Sequence, residues 1–133
     1  LAVIAYIEEQ RIFENVLARG AELRARLDAL GARYPIVAAV RGLGLLYCID
    51  FDGPAAVGAD GRLQPVGTAV QRAARARGLL LRASPHNATL APPLVTTAAE
   101  IDEIATIFEE SVAEVAAQFE SRGAVEVEIG FGL

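Results

Sequence analysis

The chain contains 133 residues, of which 53% are hydrophobic and 22% are charged, and its formal net charge is −5. This length supports one domain with a modest core, and this composition is typical of an ordered globular protein. The negative net charge disfavours a nucleic-acid partner, because phosphate binding requires clustered positive charge. No apolar run reaches the roughly 18 residues that a membrane span needs, so no membrane partner is expected either.

The beginning of the chain has the pattern of a helix. Residues 1–33 carry apolar side chains at helical spacing, with Glu and Arg between them. The helical spacing of the apolar residues is interrupted between Gln10 and Phe13, which predicts a break into two helices. Pro35 is expected to end the segment, because the residue before a proline is disfavoured in the α region.

Two strands, or one bulged strand, are predicted over 37–41 and 45–51. Gly42 and Gly44 lie between them and would allow a turn or a bulge. Cys48 lies in the second of these segments and is the one cysteine of the chain, which excludes an internal disulfide. We expect it to be a buried, unreactive thiol.

The middle of the chain predicts an exposed connection, a short helix and a strand–turn–strand unit, in that order. Gly, Pro and Asp mark the connection, and a glycine follows the helix at the position of a C-terminal stop. The bounds are 52–65 with its tip at Ala59-Asp60-Gly61, about 66–77 with Gly78 as the stop, 79–82 for the first strand, 84–87 for the turn and 88–90 for the return strand.

The last helix has the clearest local signal. Thr97 and Glu100 form a capping-box pattern, and apolar residues then recur on one face. Gly123 is predicted to end this helix. The tail over 124–133 alternates apolar and acidic residues, which indicates a half-buried strand: either an added edge strand or a segment that pairs with something outside this chain.

This order of elements predicts an α/β fold, with a small, mostly antiparallel sheet and helices packed on one face. The single histidine, His86, falls in the predicted turn and is far in sequence from Cys48, so no metal site is assigned. Adjacent acid pairs on the helices do not share a face and are read as solvated. No catalytic or cofactor-binding residue is assigned.

Arg82 is the one candidate binding residue, and its surroundings carry a family resemblance. It ends a predicted strand and precedes Pro92-Pro93 by ten residues, and an Arg41-Gly-x-Gly segment precedes the strand of Cys48. These features resemble the C-terminal small domain of class III, ω-amino acid type aminotransferases, which are pyridoxal-phosphate enzymes of fold type I. In that family the arginine matching Arg82 binds the substrate carboxylate. No ligand role is assigned to Arg41, because an arginine that lies on the surface or pairs with an acid accounts for its presence.

The resemblance implies that residues 1–123 are the small domain, that 1–33 include the end of the interdomain helix, and that 124–133 are an extra tail. It also implies pyridoxal 5′-phosphate as cofactor of the intact enzyme, amino and keto acid substrates, a large cofactor-binding domain in the same polypeptide, and a homodimer. All twelve basic residues are arginine, so the chain lacks the lysine that would hold the cofactor as a Schiff base.

The chain is therefore expected to be part of a transaminase and inactive alone. The absence of methionine and a start at Leu1 favour a fragment of a longer protein. The alternative is a stand-alone binding or dimerisation module that kept the fold without the chemistry. A cytoplasmic location is expected, since no secretory signal is visible.

Overall fold

A computed structural model describes residues 1–53, 55–57 and 60–131 of the chain, with side chains given for 1–53, 55 and 60–119. Four helices and six strands lie within these residues. In chain order they are α1 (Ala2–Glu9), α2 (Ile12–Arg33), β1 (Val37–Leu43), β2 (Leu46–Phe51), β3 (Ala56–Val57), β4 (Leu63–Gln64), α3 (Val66–Ala76), β5 (Arg82–Ser84), β6 (Asn87–Leu90) and α4 (Ala98–Phe131). None of these helices is both long and apolar enough to cross a membrane.

The break predicted in the first helical segment is confirmed. Arg11 adopts a left-handed conformation with φ 51°, and this separates α1 from α2. The predicted stop is also confirmed, because α2 ends at Arg33 and Tyr34 is extended with φ −119° and ψ 111°. Tyr34 precedes Pro35, whose ring disfavours the α conformation in the residue before it.

The main sheet has four antiparallel strands in the order β1-β2-β6-β5. Along β2, Tyr47, Ile49 and Phe51 are buried, whereas Cys48 and Asp50 are only half-buried, so the strand alternates between a core face and an outer face. The expected α/β class with a small antiparallel sheet is confirmed. The thiol of Cys48 is less buried than predicted, because its position in the pleat puts it on the outer face.

The helices α2, α3 and α4 pack on the core face of this sheet. Their fully buried side chains belong to one hydrophobic cluster with the inward residues of β2 and β6. Burial of each large aliphatic or aromatic side chain in such a cluster stabilises the fold by roughly 1.5–3 kcal/mol. The helical members with the least exposure are Leu23, Leu27, Val70, Ile101, Phe108, Val112 and Val115.

The strand predicted over 79–82 is shorter in the structure, because β5 begins only at Arg82. The preceding residues are bound to α3 and lie outside the ladder: the N–H of Leu79 donates to the Ala74 carbonyl (2.9 Å), and Gln71 Nε2 donates to the Leu81 carbonyl (3.1 Å). The predicted connection over 52–65 also contains a small two-stranded sheet of β3 and β4. Part of its predicted tip, Ala59, lies outside the described residues.

The prediction of a strand after Gly123 was wrong for the residues that the structure describes, since α4 remains helical to Phe131. An existing helix gains one hydrogen bond for each added residue, and a single glycine costs only about 1 kcal/mol in its interior. A strand would instead need a neighbouring strand. Residues 132 and 133 lie outside the described part. The proposed boundary at 123 stays a prediction.

Candidate substrate-binding site

The hairpin of β5 and β6 carries the candidate residue Arg82, and a backbone contact with α3 holds the hairpin in place. Its strands pair through Arg82 with Thr89 and through Ser84 with Asn87. The N–H of Gly67, in the first turn of α3, donates to the Pro85 carbonyl at 3.0 Å. A Cβ at Gly67 would collide with the Ser84 carbonyl oxygen, so only glycine lets the helix approach the hairpin this closely.

Arg82 lies at the start of an edge strand, on the outer face of the sheet, and its side chain is exposed. Its guanidinium has no hydrogen bond or ion pair with any residue that the structure describes. Arg82 lines a groove of about 650 Å³, which we call the Arg82 groove. The other lining residues are mostly apolar: Leu46, Leu79, Leu80, Leu81, Thr89, Leu90, Ala91, Pro92, Pro93 and Ile104.

The Pro92-Pro93 segment that borders this groove is held in place by α2. Asn15 Nδ2 donates to two carbonyl oxygens of the following loop, of Leu94 at 2.9 Å and of Thr96 at 3.0 Å. The hydroxyl of Thr96 donates to the Pro93 carbonyl at 2.5 Å. One side of the groove is therefore a fixed backbone rather than a free loop.

The predicted capping box follows directly and is confirmed. Glu100 Oε1 accepts from the N–H of Thr97 at 3.0 Å, and the Glu100 N–H donates to the Thr97 hydroxyl oxygen at 3.2 Å. The hydrogen bonds from Thr97 hold the pKa of the Glu100 carboxyl below its usual value. The start of α4 is thereby fixed next to the groove.

Arg41 and Arg82 lie at the two ends of one cross-strand row on the outer face, with Cys48 and Thr89 between them. Arg41 is already occupied, because its Nε and Nη2 bind the two oxygens of Asp50 at 2.6 and 2.9 Å. This fork raises the pKa of Arg41 above its usual range and lowers the pKa of Asp50. Of these two arginines, only Arg82 has a guanidinium without a partner among the described residues, so its donors are available to a ligand.

The other residues considered from sequence do not form a site. His86 is exposed in the hairpin turn, where its N–H donates to Ser84 Oγ at 3.3 Å. Within the described residues, no group of three His, Cys, Asp or Glu side chains could hold a metal. Some of the acids that were read as solvated also form ion pairs: Asp102 and Glu109 both bind Arg26, at 2.6 and 3.1 Å.

An apolar groove of about 600 Å³ adjoins the Arg82 groove and was missed by the sequence analysis. Both grooves are lined by Leu46, Ala91 and Pro92. Two large side chains of this apolar groove, Leu43 and Leu17, are 85% and 70% exposed. The sequence feature that could have predicted this groove is the pair Phe13 and Leu17. These residues are four apart in α2 and lie outside its row of buried residues.

Comparison with known proteins places these features in a family. Residues 1–112 match the family described as Aminotransferase class-III. The chain belongs to the class III aminotransferases. It is 41% identical over 119 residues to an uncharacterized aminotransferase of Sinorhizobium fredii, covering 86% of this chain and 25% of that protein. It is 36% identical over 129 residues to a diaminobutyrate–2-oxoglutarate transaminase of Halomonas elongata, covering 95% of this chain and 28% of that protein.

The fold comparison agrees with this membership. The crystal structure of an amine transaminase from an uncultivated Pseudomonas species superposes with a TM-score of 0.71 at 28% identity, over 86% of this chain and 26% of that one. The chain thus spans about a quarter of the length of the class III relatives that it matches.

Proposed function

We propose that this chain is the C-terminal small domain of a pyridoxal-phosphate-dependent transaminase, and that Arg82 binds the carboxylate of its amino and keto acid substrates. The observation that carries the proposal is the exposed Arg82 without a partner among the described residues, at the edge of an apolar groove in a class III aminotransferase fold.

Arginine suits this role because of what transaminase substrates have in common. Amino and keto acids differ in their side chains but share a carboxylate. The planar guanidinium matches a carboxylate with two parallel, charge-assisted hydrogen bonds, each of which contributes roughly 1.5–3 kcal/mol. The apolar residues beside Arg82, such as Leu81 and Leu90, would contact the side chain of the same substrate.

The residues of this chain do not fit the cofactor itself. The family implies pyridoxal 5′-phosphate, which must be held by a lysine amine, and the chain contains no lysine. An arginine cannot replace it, because its guanidinium stays protonated. We therefore assign the cofactor chemistry to a large domain of the same polypeptide, and we expect this chain to be inactive alone.

The apolar groove next to the Arg82 groove supports such an arrangement. Exposed apolar surface of this kind marks a contact with another protein part. The large domain, or the second subunit of a homodimer, would cover Leu17 and Leu43, which are largely exposed here. The alternative proposal is a stand-alone module that uses this surface for binding or dimerisation, and the absence of lysine favours it equally.

The complete reading frame that contains this chain separates the two proposals. Expressed with pyridoxal phosphate, it should transfer an amino group from an amino acid to a keto acid, whereas the 133-residue chain should not. Treatment of the short chain with cofactor and borohydride should give no mass adduct other than at its N-terminal amine. A complete frame that lacks transferase activity and binds no cofactor would instead favour the module.

A further inference from the structure

A third pocket lies on the other side of the molecule from the sheet's outer face, between β4, α3 and α4. Its volume is about 460 Å³, and it shares no lining residue with the Arg82 groove. We call it the glutamine pocket, because Gln64 of β4 and Gln118 of α4 both line it. The proposed function makes no use of it.

Two glutamines that line this pocket each carry a buried acceptor without a partner among the described residues. The Oε1 atoms of Gln64 and Gln118 are both buried, and neither has a hydrogen-bond donor within the described part of the chain. Gln64 as a whole is only 7% exposed. An unsatisfied buried amide costs about 1–3 kcal/mol, so the pocket favours a molecule that brings N–H or O–H groups to these oxygens.

A cation without a described partner lines the same pocket. Arg72 of α3 is exposed and makes no ion pair with the residues that the structure describes. The neighbouring Arg77 is occupied, since it binds Glu114 at 2.7 Å and the Ala73 carbonyl at 3.1 Å. Among the described residues, the cation of this pocket that has no partner is therefore the guanidinium of Arg72, which prefers a carboxylate.

Water alone or a metal ion fits these observations less well. One water takes a share of only about 30 Å³ in the liquid, so the pocket has room for a small organic molecule. A divalent cation would need several free carboxylates, but the described lining contains two, Asp60 and Glu114, and Glu114 is bound by Arg77. The described residues also contain no cluster of three metal-ligating side chains.

We propose that the glutamine pocket binds a small α-amino acid. Its ammonium group donates to the amide oxygens of Gln64 and Gln118, and its carboxylate binds Arg72. The two amide oxygens match the ammonium, and the guanidinium of Arg72 matches the carboxylate. A ligand with only one of these charges would leave the other partner unsatisfied.

Three small probes test the proposal, because two of them each lack one of the charged groups of an amino acid. L-alanine carries both groups, ethylammonium lacks the carboxylate, and propionate lacks the ammonium. Titration of the 133-residue chain is followed by NMR at the side-chain amide resonances of Gln64 and Gln118. L-alanine should bind at least tenfold more tightly than either of the other probes and should shift both amide signals.

Variants locate the binding. Arg72→Ala and Gln118→Leu should each weaken L-alanine binding at least tenfold, and circular dichroism checks that they fold. Arg75→Ala removes an exposed arginine of the same helix that does not line this pocket, and it should leave the affinity unchanged. Arg82→Ala should also leave it unchanged, which separates this pocket from the proposed substrate site.

Several results would overturn the proposal. One is the absence of saturable L-alanine binding at millimolar concentration in the folded chain, which would mean that only water occupies the pocket. Equal affinity of all three probes, or an Arg72→Ala variant that binds like the wild type, would contradict it as well. Loss of binding in Arg82→Ala alone would place the ligand in the Arg82 groove.

Discussion

Arg41 and Arg82 end the same cross-strand row, yet their guanidinium groups have different partners. Arg41 is bound by both oxygens of Asp50, whereas the guanidinium of Arg82 has no partner in the part of the chain that the structure describes. The difference comes from the register of β1 against β2, which sets Arg41 opposite Cys48 and diagonal to Asp50. An arginine on an exposed sheet is available to a ligand only where no acid lies within reach.

The Arg41–Asp50 pair predicts a pH effect. Its fork lowers the pKa of Asp50 from the usual value near 3.8, so it stabilises the fold above that value and ceases to do so as pH falls through the lower pKa of the folded state. Arg41→Ala should raise the pKa of Asp50 towards the usual value and remove this contribution. NMR titration of Asp50 measures the change, and an unchanged pKa would show that the fork does not form in solution.

At the scale of elements, α2 approaches its neighbours much more closely at Gly20 than at Gly31. A Cβ at Gly20 of α2 would collide with the carbonyl of Gly44 in the β1–β2 turn, whereas a Cβ at Gly31 of the same helix would meet only Val37 at 3.6 Å. Tyr47 supports this contact, because its hydroxyl donates to the Gly20 carbonyl at 3.1 Å. The turn beside the apolar groove is thus positioned by one face of α2.

A matched pair of substitutions tests this packing. Gly31→Ala should stabilise the chain by up to about 1 kcal/mol, because alanine is the better helix former and has room. Gly20→Ala gains the same helix propensity, but its methyl group forces the turn away at a cost of about 1–3 kcal/mol. The net effect on the free energy of unfolding should lie between zero and a loss of about 2 kcal/mol. Urea unfolding measures both, and an equal gain in the two variants would show that the close approach is absent.

The capping box of α4 gives a second prediction at this scale. Thr97→Ala removes the hydrogen bond from the Thr97 hydroxyl to Glu100 Oε1 and keeps the one from the backbone N–H, so the pKa of Glu100 should rise part of the way towards its usual value near 4.5. The stability from this contact is present above the usual value and is lost as pH falls through the lower folded pKa. The variant should therefore lower the melting temperature near neutral pH more than at a pH well below the folded pKa of Glu100. An equal loss at both pH values would contradict the contribution of the Glu100 carboxylate.

The same elements show what sequence could and could not supply. Local signals sufficed for the break at Arg11, the stop before Pro35 and the capping box, because neighbouring residues determine each of them. The tail was mispredicted, since Val125 and Ile129 fit a strand and also recur at helical spacing. The free state of Arg82 could not be predicted, because it depends on which acids the folded sheet places nearby.

For the whole molecule, the apolar groove predicts self-association of the isolated chain. Leu43 is 85% exposed and lines this groove, so Leu43→Asn should reduce association without lowering stability. Leu63→Asn is the matched control, because Leu63 is 59% exposed and lies outside the groove. Sedimentation velocity measures both. A wild-type chain that stays monomeric at high concentration would contradict the prediction.

The central claim is that Arg82 binds the substrate carboxylate, and kinetics of Arg82→Ala in the complete enzyme test it most directly. Loss of a bidentate ion pair should cost about 2–4 kcal/mol, which is roughly 30- to 1000-fold in specificity constant for an amino acid. A matched amine without a carboxylate should react as in the wild type, and Arg82→Lys should restore only part of the amino acid rate, since lysine offers a point charge. The measurement is the single-turnover rate of the wild type and of Arg82→Ala with each of the two donors. An equal loss on both would show that Arg82 supports the fold and does not bind the carboxylate.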